Sequence, residues 1–66
     1  MDIIVNGSSR QVSAALTVAA LLVELAVEPR YVAVEVNQEL VPRARHRDWK
    51  LAEGDHLEVV TLVGGG

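Results

Sequence analysis

Apolar residues recur along this chain in two rhythms. Met1, Ile3 and Val5 alternate with Asp2 and Ile4, the period of a strand that lays one face on a core. The alternation predicts a first strand with Met1, Ile3 and Val5 inward and leaves Ile4 as an outward apolar side chain. Asn6-Gly7 is a strong hairpin signal, and Ser8 to Val12 returns as a second strand. The spacing then lengthens. Val18, Leu21, Leu22 and Leu25 fall at i, i+3, i+4 and i+7, the stripe of a helix with one buried face. Thr17 is placed to cap it by accepting from an early helical N–H. Pro29 pushes Glu28 out of the helical region, so the helix has about three turns at most and needs a sheet to lie on.

Period two comes back at Tyr31–Val36, with Val32, Val34 and Val36 on one face. Asn37-Gln38 reverses the chain, and Glu39–Val41 forms a short strand stopped by Pro42. Arg43 to Lys50 has no clean period and reads as a long loop with one helical turn, with Trp49 covering an edge of the core. Glu53-Gly54-Asp55 is a tight turn. His56 to Leu62 is the last strand, with Leu57, Val59 and Thr61 inward and Glu58, Val60 and Leu62 outward. A hairpin, one crossover helix and a return to the sheet make an α+β chain. The arrangement expected is a β-grasp (ubiquitin-like) roll, a mixed sheet of four to five strands with one main helix packed across it. The last strand is the most apolar and is expected at the centre, beside the first. Residues 1–62 would form the domain and 63–66 a flexible tail.

Sixty-six residues suffice for one domain, whose core supplies no more than about 3–5 kcal/mol net. The chain has no cysteine, which excludes disulfides, thiol nucleophiles and Cys-based zinc sites and fits a reducing compartment. A net charge of −3 with one Trp and one Tyr argues against nucleic acid, which needs basic and stacking surface. No stretch approaches the roughly 20 apolar residues of a membrane span. The run Ala14–Val23 reads as a core helix rather than a signal peptide, and the expected place is the cytoplasm. His46 and His56 lack a second pair of ligands at recognisable spacing, so no metal is expected. Four of the six Lys and Arg residues crowd into Arg43, Arg45, Arg47 and Lys50. That loop is either simply solvated or a docking surface for an acidic partner.

The chain closes on Val63-Gly64-Gly65-Gly66. Glycine is the slimmest and freest backbone, suited to carrying a terminal carboxylate into a narrow site. The reactive group at the chain's end is a free α-carboxylate, which the domain is expected to present to other proteins. No nucleophile–base pair suggests catalysis by the domain itself, so an enzyme is not expected. Ordering four tail residues costs about 4–8 kcal/mol, so the folded body must also dock. Ile4, Leu40, Val60 and Leu62 are the candidate partner-binding residues, with the arginine loop at their rim.

The pieces Asn6-Gly7, Thr17-Val18-Ala19-Ala20-Leu21-Leu22, Val32-Ala33-Val34-Glu35-Val36-Asn37, Val41-Pro42-Arg43, Glu53-Gly54-Asp55 and Val59 through Gly66, in that order, resemble the ThiS family of sulfur carriers in thiamine biosynthesis. The resemblance covers essentially the whole length. It departs at Gln38 and Ala26, where such chains commonly have glycine; both bear on turn geometry and neither on the tail. The resemblance implies that an ATP-dependent, ThiF-like enzyme adenylates the carboxylate of Gly66. A sulfur-donor system then converts it to a thiocarboxylate, and a ThiG-like thiazole synthase takes the sulfur. Val63, Gly64 and Gly65 would thread the partner's site. No cofactor would be bound by the chain, the ATP being the partner's. Competing expectations are a carrier for molybdopterin or cysteine biosynthesis, a ubiquitin-like protein modifier, and a non-carrier β-grasp interaction module.

Overall fold

A computed structural model describes residues 1–62, and in it each rhythm yields its element. The strands are β1 (Asp2–Val5), β2 (Ser8–Gln11), β3 (Val32–Val36), β4 (Glu39–Val41) and β5 (His56–Thr61), with one helix, α1 (Val18–Glu24). Short 3-10 turns span Pro29–Tyr31 and Arg43–Arg45. The five strands form one sheet in the order β2-β1-β5-β3-β4. β1 and β5 run parallel, and the other neighbours are antiparallel. The last strand is thus central beside the first, as its apolar content predicts, and the architecture is the β-grasp roll.

Both hairpin turns force positive φ on both central residues. Asn6 and Gly7 sit at 51° and 84°, and Asn37 and Gln38 at 51° and 69°, as a primed turn between twisted strands demands. Thr17 caps α1 as expected, its Oγ1 accepting from Ala20 N–H at 3.1 Å. The helix ends in a Schellman arrangement. Ala26 takes the left-handed position at φ 58°. Its N–H donates to Val23 O at 3.0 Å, and Val27 N–H donates to Leu22 O at 3.2 Å.

The core lies between α1 and one face of the sheet. Val18, Leu21 and Leu22 of the helix meet Ile3, Val32, Val34, Val36, Val41 and Leu57, with Leu51 closing one side. Val34 stands between Val41 and Val59, and Val36 opposite Leu57, so the inward rows are continuous. Trp49 packs against the core edge as predicted.

Two expectations are corrected. Tyr31 belongs to the 3-10 turn and not to the third strand, because Pro29 at the first position presets that turn. Thr61 lies on the inward rows opposite Val32 but is exposed. The helix spans seven residues, only about two turns, and does not reach that end of the sheet. A groove lined by Leu25, Val27, Val59 and Thr61 remains open there.

Candidate functional site

Among the described residues, no helix lies on the sheet face away from α1, and its rows follow from the register. Glu58 stands opposite Glu35, which has Leu40 on its other side. Val60 stands opposite Ala33. Leu62 continues the ladder past β5, its N–H donating to Tyr31 O at 2.7 Å. On the other flank Ile4 is level with His56, and Ser9 with Ile4.

All four sequence-predicted contact residues therefore fall on this side of the sheet, although they do not form one unbroken patch. Val60 and Leu62 are each about half exposed, and Leu40 is more so. Leu40 shares the Glu35–Glu58 row and is separated from Val60 by β3. Ile4 is half-buried and stands four residues up β5 from Val60, about 13 Å along the strand. The predicted tail residues Val63, Gly64, Gly65 and Gly66 lie outside the described residues.

β5, from whose end the chain runs on toward those residues, is clamped by side chains. Asn6 Nδ2 donates to Val59 O at 3.1 Å, and its Oδ1 accepts from Val59 N–H at 2.8 Å. One carboxamide thus replaces a strand neighbour beyond the end of β1. At the start of β5, Asn37 Oδ1 accepts from His56 N–H at 3.0 Å while its Nδ2 donates to Asp55 Oδ1 at 3.0 Å. Each turn asparagine so fixes the central strand, Asn37 at its start and Asn6 at Val59. Asn-Gly and Asn-Gln announce turns in the sequence, but nothing in them signals the second task.

Tyr31 is a further residue that sequence reasoning did not assign to the surface. It is exposed beside Leu62, with the Arg30 guanidinium 5.2 Å from its ring centroid. Amphipathic position in a turn is its only sequence signal. The basic loop divides. Arg45 is held by Asp48 at 3.0 Å, and from His46 onward the backbone is tied to the helix side. His46 O accepts from Ala19 N–H at 2.8 Å and Trp49 O from Val18 N–H at 3.0 Å. His46 itself is buried, an anchor that the surrounding arginines conceal in the sequence. Among the described residues, no cluster of three His, Cys, Asp or Glu side chains is arranged to hold a metal. No helix among them is long and apolar enough to cross a membrane.

Comparison with known proteins adds relatives along the whole chain. The ThiS family model matches residues 3–66. A thiazole synthase of Paramagnetospirillum magneticum is 47% identical over 66 residues, all of this chain and 20% of that protein, so the chain spans one fifth of the relative's length. The sulfur carrier protein ThiS of Bacillus subtilis is 36% identical over 50 residues, 76% of each chain. The crystal structure of a thiamine biosynthesis protein (ThiS) from Geobacter metallireducens superposes with a TM-score of 0.87 at 35% identity, covering 100% of both chains.

Proposed function

The chain belongs to the ThiS family, and from that premise we propose that it is a sulfur carrier of thiamine biosynthesis, charged and discharged at the carboxyl group of Gly66. The family match running through Gly66 is the observation that carries this reading. In the first step the carboxylate attacks the α-phosphate of ATP on a ThiF-like partner, releasing pyrophosphate and leaving an acyl-adenylate. In the second, sulfur from a donor system displaces AMP and yields the thiocarboxylate. A ThiG-like thiazole synthase then accepts the sulfur for the thiazole ring. The similarity of this chain to one fifth of a thiazole synthase supports that destination.

The division of labour follows from magnitudes. Ordering Val63 to Gly66 in a partner's site costs about 4–8 kcal/mol of backbone entropy. Val60 and Leu62, each already about half covered, recover about 0.8–1.5 kcal/mol apiece when the rest is buried, so further contacts of the folded body must supply the remainder. The folded body therefore docks through its helix-free face while the glycines, free of side chains, enter a channel too narrow for others. The domain supplies rigidity and reach, and the enzymes supply the chemistry.

Incubation with ATP, the adenylating enzyme and a sulfur source, followed by intact-mass measurement, tests the proposal. The expected gain matches exchange of one oxygen for one sulfur, localised to Gly66. No gain, or a gain that survives deletion of Gly65 and Gly66, would sink it.

A further inference from the structure

Glu35 of β3 and Glu58 of β5 are direct cross-strand partners near the middle of the helix-free face. Opposed like charges weaken an antiparallel pair. Among the described residues neither carboxylate makes an ion pair or a side-chain hydrogen bond. Leu40 flanks Glu35 and the next row is Ala33 and Val60, while on the other side the exposed His56 shares the outward face of β5 with Glu58. Three of the six Lys and Arg residues are paired elsewhere. Arg10 reaches Glu24 beside the helix, Arg30 pairs with Glu28, and Arg45 pairs with Asp48. Among the described residues the free domain thus carries a repulsive pair bordered on one side by Leu40 and Val60, with no ion pair of its own.

We propose, building on the carrier reading above, that this face docks a partner protein whose surface inserts an arginine or lysine head between Glu35 and Glu58. Apolar side chains around that head would cover Val60, Leu62 and Leu40. Charge complementarity selects this occupant over a purely apolar one, which would bury two unpaired carboxylates at large cost. A guanidinium has enough donors to bond both carboxylates at once. Exclusion of water by the apolar surround strengthens the pairing and makes it selective for a basic contact.

The test uses the full chain with the adenylating enzyme as probe, comparing wild type with Glu35→Gln, Glu58→Gln and the double variant. Calorimetric titration at low and high salt measures capture, and thermal melts follow the free domains. The melts are expected to be unchanged or higher, since repulsion is removed. Each single variant is expected to bind about tenfold more weakly, with a flatter salt dependence. Wild-type affinity in the variants, or weaker binding with an unaltered salt slope, would overturn the basic contact and leave the carrier reading intact. A wild-type chain that the enzyme does not capture would overturn both. Self-association of the wild type that either Gln variant abolishes would assign the face to a second copy and overturn the proposal.

Discussion

At Ala26 and Gln38 the backbone takes a conformation that side chains resist. Both lie in the left-handed region, at φ 58° and 69°, where a Cβ crowds the following carbonyl at a cost of about 1–2 kcal/mol. Sequence reading marks both as places where glycine would be natural. It could not say that the geometry would be kept and the strain accepted. The reason is that each turn is fixed from outside. The two hydrogen bonds of the Schellman motif hold Ala26, and the side-chain bonds of neighbouring Asn37 to the start of β5 hold the second hairpin. Ala26→Gly should therefore stabilise the domain by about 0.5–1 kcal/mol, the relieved strain less the extra freedom of glycine in the unfolded chain. At this size that raises Tm by several degrees, readable in a calorimetric melt. Ala33→Gly, in the extended interior of β3, should shift Tm the other way.

Among the elements, α1 was legible in its start and its buried stripe but not in its length. Thr17 and the positions of Val18, Leu21 and Leu22 follow from spacing alone, and all three apolar residues are fully buried. Leu25 continues the same stripe, yet it is the C-cap and only half-buried. Periodicity registers which face is apolar and is blind to where the backbone leaves the axis. Thr61 was misplaced for the same reason, since the cover over the last inward row depends on how far the helix extends. A helix this short persists through its cap and its packing rather than through propagation. Thr17→Ala is accordingly expected to lower stability by about 1 kcal/mol, seen as an earlier urea midpoint with an unchanged slope. Thr17→Ser should recover most of the loss, because it restores an acceptor oxygen.

For the molecule as a whole, β5 joins stability to recognition by parity. Leu57 and Val59 point into the core, whereas Glu58 and Val60 point out of the bare face, and Leu62 continues the outward row. Alternation alone made that division readable in the sequence. The opposed glutamates were not readable, because their pairing depends on the register between two strands separated by about twenty residues of chain. Parity predicts that neighbouring substitutions fail in different ways. Leu57→Ala removes a buried side chain at a cost of about 2–5 kcal/mol. That is comparable to the entire net stability of about 3–5 kcal/mol available to so small a core. It should leave a substantial unfolded population by circular dichroism. Leu62→Asp changes an exposed position and should move stability by no more than about 0.5 kcal/mol. Its effect belongs to docking, where a side chain about half exposed in the free domain loses about 0.8–1.5 kcal/mol of apolar burial, which weakens capture by the adenylating enzyme roughly fourfold to tenfold. A Leu62→Asp chain that melts like wild type and is still captured at full affinity would mean that the outward row does not meet the partner. The docking surface would then have to be sought on the helix side of the molecule.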